Sequence, residues 1–163
     1  MTTNIVSNTP ENERDTWRTP QYIFDYANKI VGGIDFDTAC DFDNALATPI
    51  FKNVDSMDAL YVEWIGKCWC NPPYSNIAPW IKKAIASDAI TVMLIPTPNG
   101  EAYYSNLIAN SHEVSIQGRV SFIGADGNPK NGNTRGSSLF IINGYAKGSR
   151  SIVNRSTLIY KEY

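Results

Sequence analysis

The chain is short of positive charge: 14 Lys and Arg stand against 16 Asp and Glu, a formal net charge of −2 over 163 residues. On that balance alone a polyanion is an unfavourable partner, because phosphate contacts depend on Lys and Arg to displace counterions. Histidine is scarcer still, with His112 the only one, and a Ser-His-Asp hydrolytic arrangement finds no supporting spacing. Three cysteines, Cys40, Cys68 and Cys70, make an odd set. The polar opening MTTNIVSNTPENER lacks the basic-then-apolar order of an export signal, so reduced thiols in a cytoplasmic protein are expected rather than a disulfide framework. No stretch comes near the roughly 20 apolar residues of a membrane helix, which argues against the membrane as a partner. Absent too is a Gly-x-Gly after the first expected strand, the usual mark of a nucleotide-binding turn.

The charge that is there is unevenly placed. Residues 1–66 carry 4 basic and 11 acidic side chains, 67–111 carry 3 and 2, and 112–163 carry 7 and 3. An acidic first third suits a cationic small molecule and a basic last third suits a polyanion, so one domain could serve both. Scattered surface charge without meaning is the plainer alternative. With 43% hydrophobic residues the chain can fill one core but hardly two. We expect a polar, disordered arm over residues 1–14 and a single domain over 15–163.

Thr19-Pro20 opens a stretch in which Tyr22, Ile23, Tyr26, Ala27 and Ile30 recur at helical spacing, ended by Gly32-Gly33. IDFDTAC reads as a short strand running into an acidic turn, and residues 41–51 as a loop with one helical turn around Asn44-Ala45-Leu46. Lys67-Cys68-Trp69-Cys70 is a short apolar strand that must stop at Asn71-Pro72-Pro73, since two prolines remove ladder donors. A helix is predicted over 79–86, a fully buried strand over 90–95 and a helix over 99–110. Strands follow over 113–117, 119–123, 138–143 and 157–160, with the Gly- and Asn-rich residues 124–136 as a mobile loop. Strands alternating with helices in the first two thirds imply a parallel sheet covered on both faces, while the last third turns to β-hairpins. The expected architecture is α/β with an antiparallel end. Ligands of such sheets bind beyond the carboxyl ends of the strands, where Asp37 and Asn71 both fall.

Asn71-Pro72-Pro73-Tyr74 is the sharpest feature. An exocyclic amine such as adenine's is a poor nucleophile because its lone pair is delocalised into the ring. The Asn71 side-chain carbonyl and the Pro72 backbone carbonyl could each accept one of its N–H groups and aim the lone pair at a methyl donor. Two prolines would hold that turn rigid, and Tyr74 offers a face on which a base taken out of the duplex could stack. As a bare tetrapeptide it is equally an ordinary strand-terminating turn; its place after a buried strand, before a helix and downstream of an acidic turn favours function. Asp35, Asp37, Asp41 and Asp43 form either a ligand-binding turn or a solvated acidic loop, and no carboxylate set has the loop spacing of a metal site. Cys68 and Cys70 share the sheet face opposite the Trp69 ring and read as small buried hydrophobes rather than a metal pair without partners. Arg119, Lys130 and Arg135, with Asn131 and Asn133, could grip phosphates or read base edges, or be solvated loop charges.

From about Trp17 to Ile142 the sequence resembles the phage and prophage DNA N-6-adenine methyltransferases of the Dam type. The resemblance rests on Trp17-Arg18-Thr19-Pro20 with Ile23-Phe24, Asp37-Thr38-Ala39-Cys40 with Asn44-Ala45, and Asp58-Ala59-Leu60 before Trp64. Cys70-Asn71-Pro72-Pro73-Tyr74-Ser75 with Pro79-Trp80-Ile81, then Gly118-Arg119-Val120-Ser121-Phe122, complete it in order, with a late strand from Ser137 to Ile142. It implies a Rossmann-like methyltransferase sheet with an antiparallel C-terminal hairpin and transfer of a methyl group from S-adenosylmethionine to the 6-amino group of adenine in DNA. Asn71, Pro72, Pro73 and Tyr74 would form the catalytic loop. Trp17, Thr19, Pro20, Asp37, Thr38, Ala39, Asp58 and Ala59 would form the cofactor pocket, with Asp37 at the methionine end. Ser75, Asn76, Arg119, Lys130 and Arg135 would contact DNA. No metal is implied. The expected partner is double-stranded DNA with a flipped adenine, and a homodimer is left open. Methylation of another planar amine (cytosine's 4-amino group, or an RNA or protein amide) and a catalytically silent nucleic-acid-binding module of the same fold are the alternatives.

Overall fold

The computed structural model describes residue 13 and residues 15–40, 43–50, 58–97, 101–130 and 133–159. Among them a seven-stranded sheet is built from β1 (Phe36–Asp37), β2 (Thr48–Pro49), β3 (Lys67–Cys70), β4 (Ile90–Pro96), β5 (Ser111–Gln117), β6 (Ser137–Ile142) and β7 (Ser149–Asn154), in the order β2-β1-β3-β4-β6-β5-β7. β1 pairs in parallel with β2 and β3, β3 with β4, and β5 with β7; β6 runs antiparallel to both β4 and β5. The helices are α1 (Gln21–Ile30), α2 (Ala78–Ala86), α3 (Ala102–Asn110) and the short α4 (Arg155–Ile159). The fold is mixed α/β. No helix among the described residues is long and apolar enough to cross a membrane.

Strand alternation divides the core into two layers. On one face Cys68, Cys70, Met93, Ile95, Phe140 and Ile142 pack against Trp80, Ile81 and Ala84 of α2 and Leu107 of α3. On the other, Trp69, Val92, Leu94, Leu139 and Ile141 meet Ile23, Phe24 and Ala27 of α1 and Leu158 of α4. The cysteines thus do lie opposite the Trp69 ring, which takes Phe24 edge-on at 5.6 Å. Burial pushes the Cys68 thiol up to about 12 and raises Cys70 as well, so both stay protonated. α1 ends where expected: Gly32 and Gly33 both have positive φ, at 71° and 102°, and the Gly33 N–H donates to the Asn28 carbonyl at 2.8 Å.

Several expected elements are replaced. Residues 119–123 form no strand, because both edges of β5 are taken by β6 and β7 and Gly118, at φ 97°, turns the chain away; Ile123 instead makes isolated antiparallel bridges to Arg18 and Pro129. The final strand expected over 157–160 is helical from Arg155 to Ile159, with residue 160 outside the described residues. Asn154 Oδ1 caps that helix, accepting from the Ser156 N–H at 3.0 Å. The C-terminal strand is β7, an edge strand exposed along most of its length, whose alternation carries almost no apolar signal. The antiparallel end holds for β6, which inserts between β4 and β5 and runs antiparallel to both, but the C-terminal third is not a run of hairpins, since β7 returns parallel to β5. Thr48-Pro49 is a two-residue edge strand within the expected loop, and Asn44 to Leu46 form a turn rather than a helical one.

The loop expected to be mobile over 124–136 begins as a closed turn. The Gly124 N–H donates to the Asn128 carbonyl at 2.9 Å, and the Lys130 N–H to the Phe122 carbonyl at 2.7 Å. Residues 131–132, including Asn131, lie outside the described residues, as do 98–100 at the expected start of α3 and, Glu13 apart, the whole of the expected polar arm 1–14.

Candidate active site

The site sits where two parallel strands end side by side. β1 and β3 are in register as Phe36 with Cys68 and Asp37 with Trp69, so the residues that follow each strand emerge together. Thr38 closes the pair: its N–H and its hydroxyl both donate to the Trp69 carbonyl, at 2.9 and 3.0 Å. Asp37 is 3% exposed. Its Oδ1 accepts from the Ala39 N–H at 3.3 Å and its Oδ2 from the Leu46 N–H at 3.0 Å, which folds the acidic turn around it. Burial outweighs those bonds and pushes the carboxyl up to about 6.

Beyond β3, Asn71 leaves the sheet and Pro72 is buried. The Asn71 Oδ1 is a buried acceptor with no hydrogen-bond partner among the described residues, a state that costs about 1–3 kcal/mol unless something supplies a donor. Tyr74 is anchored rather than free: its hydroxyl donates to the Leu94 carbonyl at 3.4 Å and its ring meets Phe122 edge-on, centroids 6.0 Å apart. Burial raises its hydroxyl well above the usual phenol range. Asn76 closes the turn, its N–H donating to the Pro73 carbonyl at 3.1 Å.

A cavity of about 390 Å³ opens between these strand ends, lined among others by Trp17, Thr19, Asp37, Ala39, Asp43 and Asn71. It therefore gathers four of the expected cofactor residues and the first residue of the expected catalytic loop. The others fall elsewhere. Thr38 is spent on the Trp69 carbonyl. Pro20 precedes α1 and lines a neighbouring groove with Tyr22 and Arg155. Ala59 is in the core, its carbonyl accepting from the Trp64 indole at 2.8 Å; the Asp58 side chain lies outside the described residues. Of the expected DNA contacts, Arg119, Ser75 and Asn76 are exposed, whereas Lys130 is paired with Asp126 at 3.0 Å and Arg135 with Glu101 at 3.6 Å.

An acidic cavity at the ends of adjacent parallel strands, lined by an asparagine whose amide oxygen has no partner among the described residues, can hold a cation and bind an amine. The family model described as DNA N-6-adenine-methyltransferase (Dam) matches residues 6–162. The chain belongs to that family. A relative from Escherichia phage T1, described as a DNA N-6-adenine-methyltransferase, is 28% identical over 165 residues, covering 87% of this chain and 68% of its own. Another of the same description, from Haemophilus phage HP1 (strain HP1c1), is 30% identical over 125 residues, covering 72% and 71%. No solved structure matches. The chain is thus an enzyme, an adenine methyltransferase of DNA.

Several residues of this cavity carried no site signal of their own in the sequence. Asp15 and Thr16 line it from the N-terminal segment, and Ile123 lines it beside them. Arg18 could be noticed only as part of Trp17-Arg18-Thr19-Pro20. Its backbone N–H and carbonyl bond to the Ile123 carbonyl and N–H at 2.7 and 2.9 Å, and the Trp17 ring stacks on Phe122 with centroids 6.1 Å apart.

Proposed function

We propose that the enzyme transfers the methyl group of S-adenosylmethionine to the 6-amino group of an adenine turned out of double-stranded DNA, on a Rossmann-like sheet, in the cytoplasm of the host cell. The observation that carries the mechanism is that Asn71, whose buried Oδ1 has no hydrogen-bond partner among the described residues, lines the same cavity as Asp37. Its volume, about 390 Å³, lies within the roughly 300–1,000 Å³ of small-molecule sites, and its acidic lining suits a molecule carrying a sulfonium and an α-ammonium. Asp37, Thr19, Ala39 and Trp17 would hold the cofactor, which supplies an electrophilic methyl group.

The remaining work belongs to the chain. Asn71 Oδ1 and the Pro72 carbonyl accept the two amine hydrogens, withdraw the lone pair from the ring and stabilise the positive charge that develops on nitrogen. Pro72 and Pro73 restrict the turn, so the dipoles are aimed before the base arrives. Tyr74, braced by Leu94 and Phe122, presents its ring to the base. Asp37, ionised beside a cation, holds the donor end of the reaction in place. Arg119, Lys130 and Arg135 would grip the phosphates, with the last two released from Asp126 and Glu101.

The test is methylation of duplex DNA by purified enzyme with isotopically labelled S-adenosylmethionine, the product identified as N6-methyladenine by nucleoside mass spectrometry. Asn71→Ala is expected to lower kcat about 10²- to 10³-fold, the range for losing one preorganised transition-state dipole. Undiminished transfer in that variant refutes the mechanism.

A further inference from the structure

We propose that Asp15 is a positioning residue for methyl transfer: through Ser75 it braces the Asn71-Pro72-Pro73-Tyr74 loop against the cavity. This rests on the reading of Asn71 and Pro72 as the amine-binding pair. The contact is two-pronged. The Ser75 N–H donates to Asp15 Oδ1 at 3.1 Å and the Ser75 hydroxyl to Asp15 Oδ2 at 2.5 Å, across 60 residues of sequence.

Asp15 does not act alone. Two residues on, Trp17 stacks on Phe122, the same ring that Tyr74 meets edge-on. One residue further, Arg18 is bonded through both backbone groups to Ile123. Residues 15–18 thus form a strap tied to the end of the loop and to the 122–123 segment, and the strap lines the same cavity as Asp37 and Asn71.

The loop needs such a brace. Proline fixes φ but leaves ψ free, and it is ψ that sets where the Pro72 carbonyl points. Within the turn, the Asn76 N–H to Pro73 carbonyl bond is the internal restraint. A carboxylate holding the peptide N–H that follows Tyr74 adds a charge-assisted restraint from outside. Since Asp15 and Ser75 are both exposed, their bonds contribute little to global stability. A small displacement of a reacting group, in contrast, can cost up to about 10²-fold in rate. Positioning and folding are therefore separable.

The experiment is steady-state methylation of a DNA duplex by Asp15→Ala, Ser75→Ala, the double variant and Ser75→Thr, with Asn71→Ala as reference and thermal denaturation of each. For Asp15→Ala, kcat is expected to fall about 10- to 100-fold while KM for DNA and the melting temperature stay near wild type; Ser75→Ala, which keeps the peptide N–H bond to Asp15 and loses the hydroxyl bond, should lose less of kcat with an unchanged melting temperature. The double variant should be no worse than the poorer single one, because the two residues act as a unit, and Ser75→Thr, which keeps the hydroxyl, should restore kcat. An unchanged kcat in Asp15→Ala, or losses that multiply in the double variant, overturns the inference. Either result alongside a strongly impaired Asn71→Ala overturns the brace alone, whereas an unimpaired Asn71→Ala removes the amine-binding reading and the brace with it.

Discussion

Replacing Asp37 with asparagine probes the buried charge at the centre of the site. Burial pushes the Asp37 carboxyl from 3.8 up to about 6, a difference of about 3 kcal/mol between its two protonation states. Between these values the native protein holds a proton that the unfolded chain has lost, so stability falls as pH rises. The contribution is complete below about pH 4, is lost through about pH 6, and leaves the apoprotein about 3 kcal/mol poorer at pH 8 than this group alone would at pH 4. Asparagine does not titrate. Its single oxygen must serve two backbone N–H groups, those of Ala39 and Leu46, which costs about 1–3 kcal/mol at every pH. The difference in unfolding free energy, variant minus wild type, should therefore be negative near pH 4 and climb by up to about 3 kcal/mol by pH 8. Urea unfolding at a series of pH values measures it, and other titrating groups cancel in the subtraction. A difference that stays flat across the window refutes the reasoning. The same group predicts ligand linkage: affinity of the wild type for S-adenosylhomocysteine, whose α-ammonium would sit beside the carboxylate, should rise through about pH 6, and that of Asp37→Asn should not.

Two further outcomes separate the roles of neighbouring residues. The Tyr74 hydroxyl makes a long bond, 3.4 Å, to the Leu94 carbonyl, so Tyr74→Phe should retain most of kcat/KM; Tyr74→Ala, which removes the ring, should lose roughly 10- to 100-fold if stacking on the base is worth about 1–3 kcal/mol. Arg119→Ala should weaken DNA binding and reduce the slope of log affinity against log salt by about one. Lys130→Ala should do less, because Lys130 is already paired with Asp126 at 3.0 Å. Binding titrations at several salt concentrations distinguish them.

How far the primary structure could be read depended on how local each signal was. The strand ending at Asn71 was legible because Cys68, Trp69 and Cys70 are apolar and two prolines forbid continuation, and α1 was legible from its apolar spacing and its two stopping glycines. Residues 119–123 were not, because their alternation is a strand pattern and only the prior occupation of both edges of β5 denies them a place in the sheet. β7 was missed for the converse reason: an exposed edge strand pairs through its backbone and needs little apolar alternation. Asp15 and Ser75 carry no pattern linking them.

By itself the sequence determined the chemistry on offer: an amide oxygen and a proline-fixed turn at a strand end, an acidic turn to hold a cation, an aromatic ring, and membership of a methyltransferase family. Those depend on residue type and short spacing, which a linear chain records directly. Tertiary structure alone decided that Asp37 and Asn71 line one cavity, that Asn71 Oδ1 is buried without a partner among the described residues, and that Asp15 is hydrogen-bonded to Ser75 from 60 residues away. Strand register and burial set those relations, and both are properties of the packed sheet rather than of any segment within it.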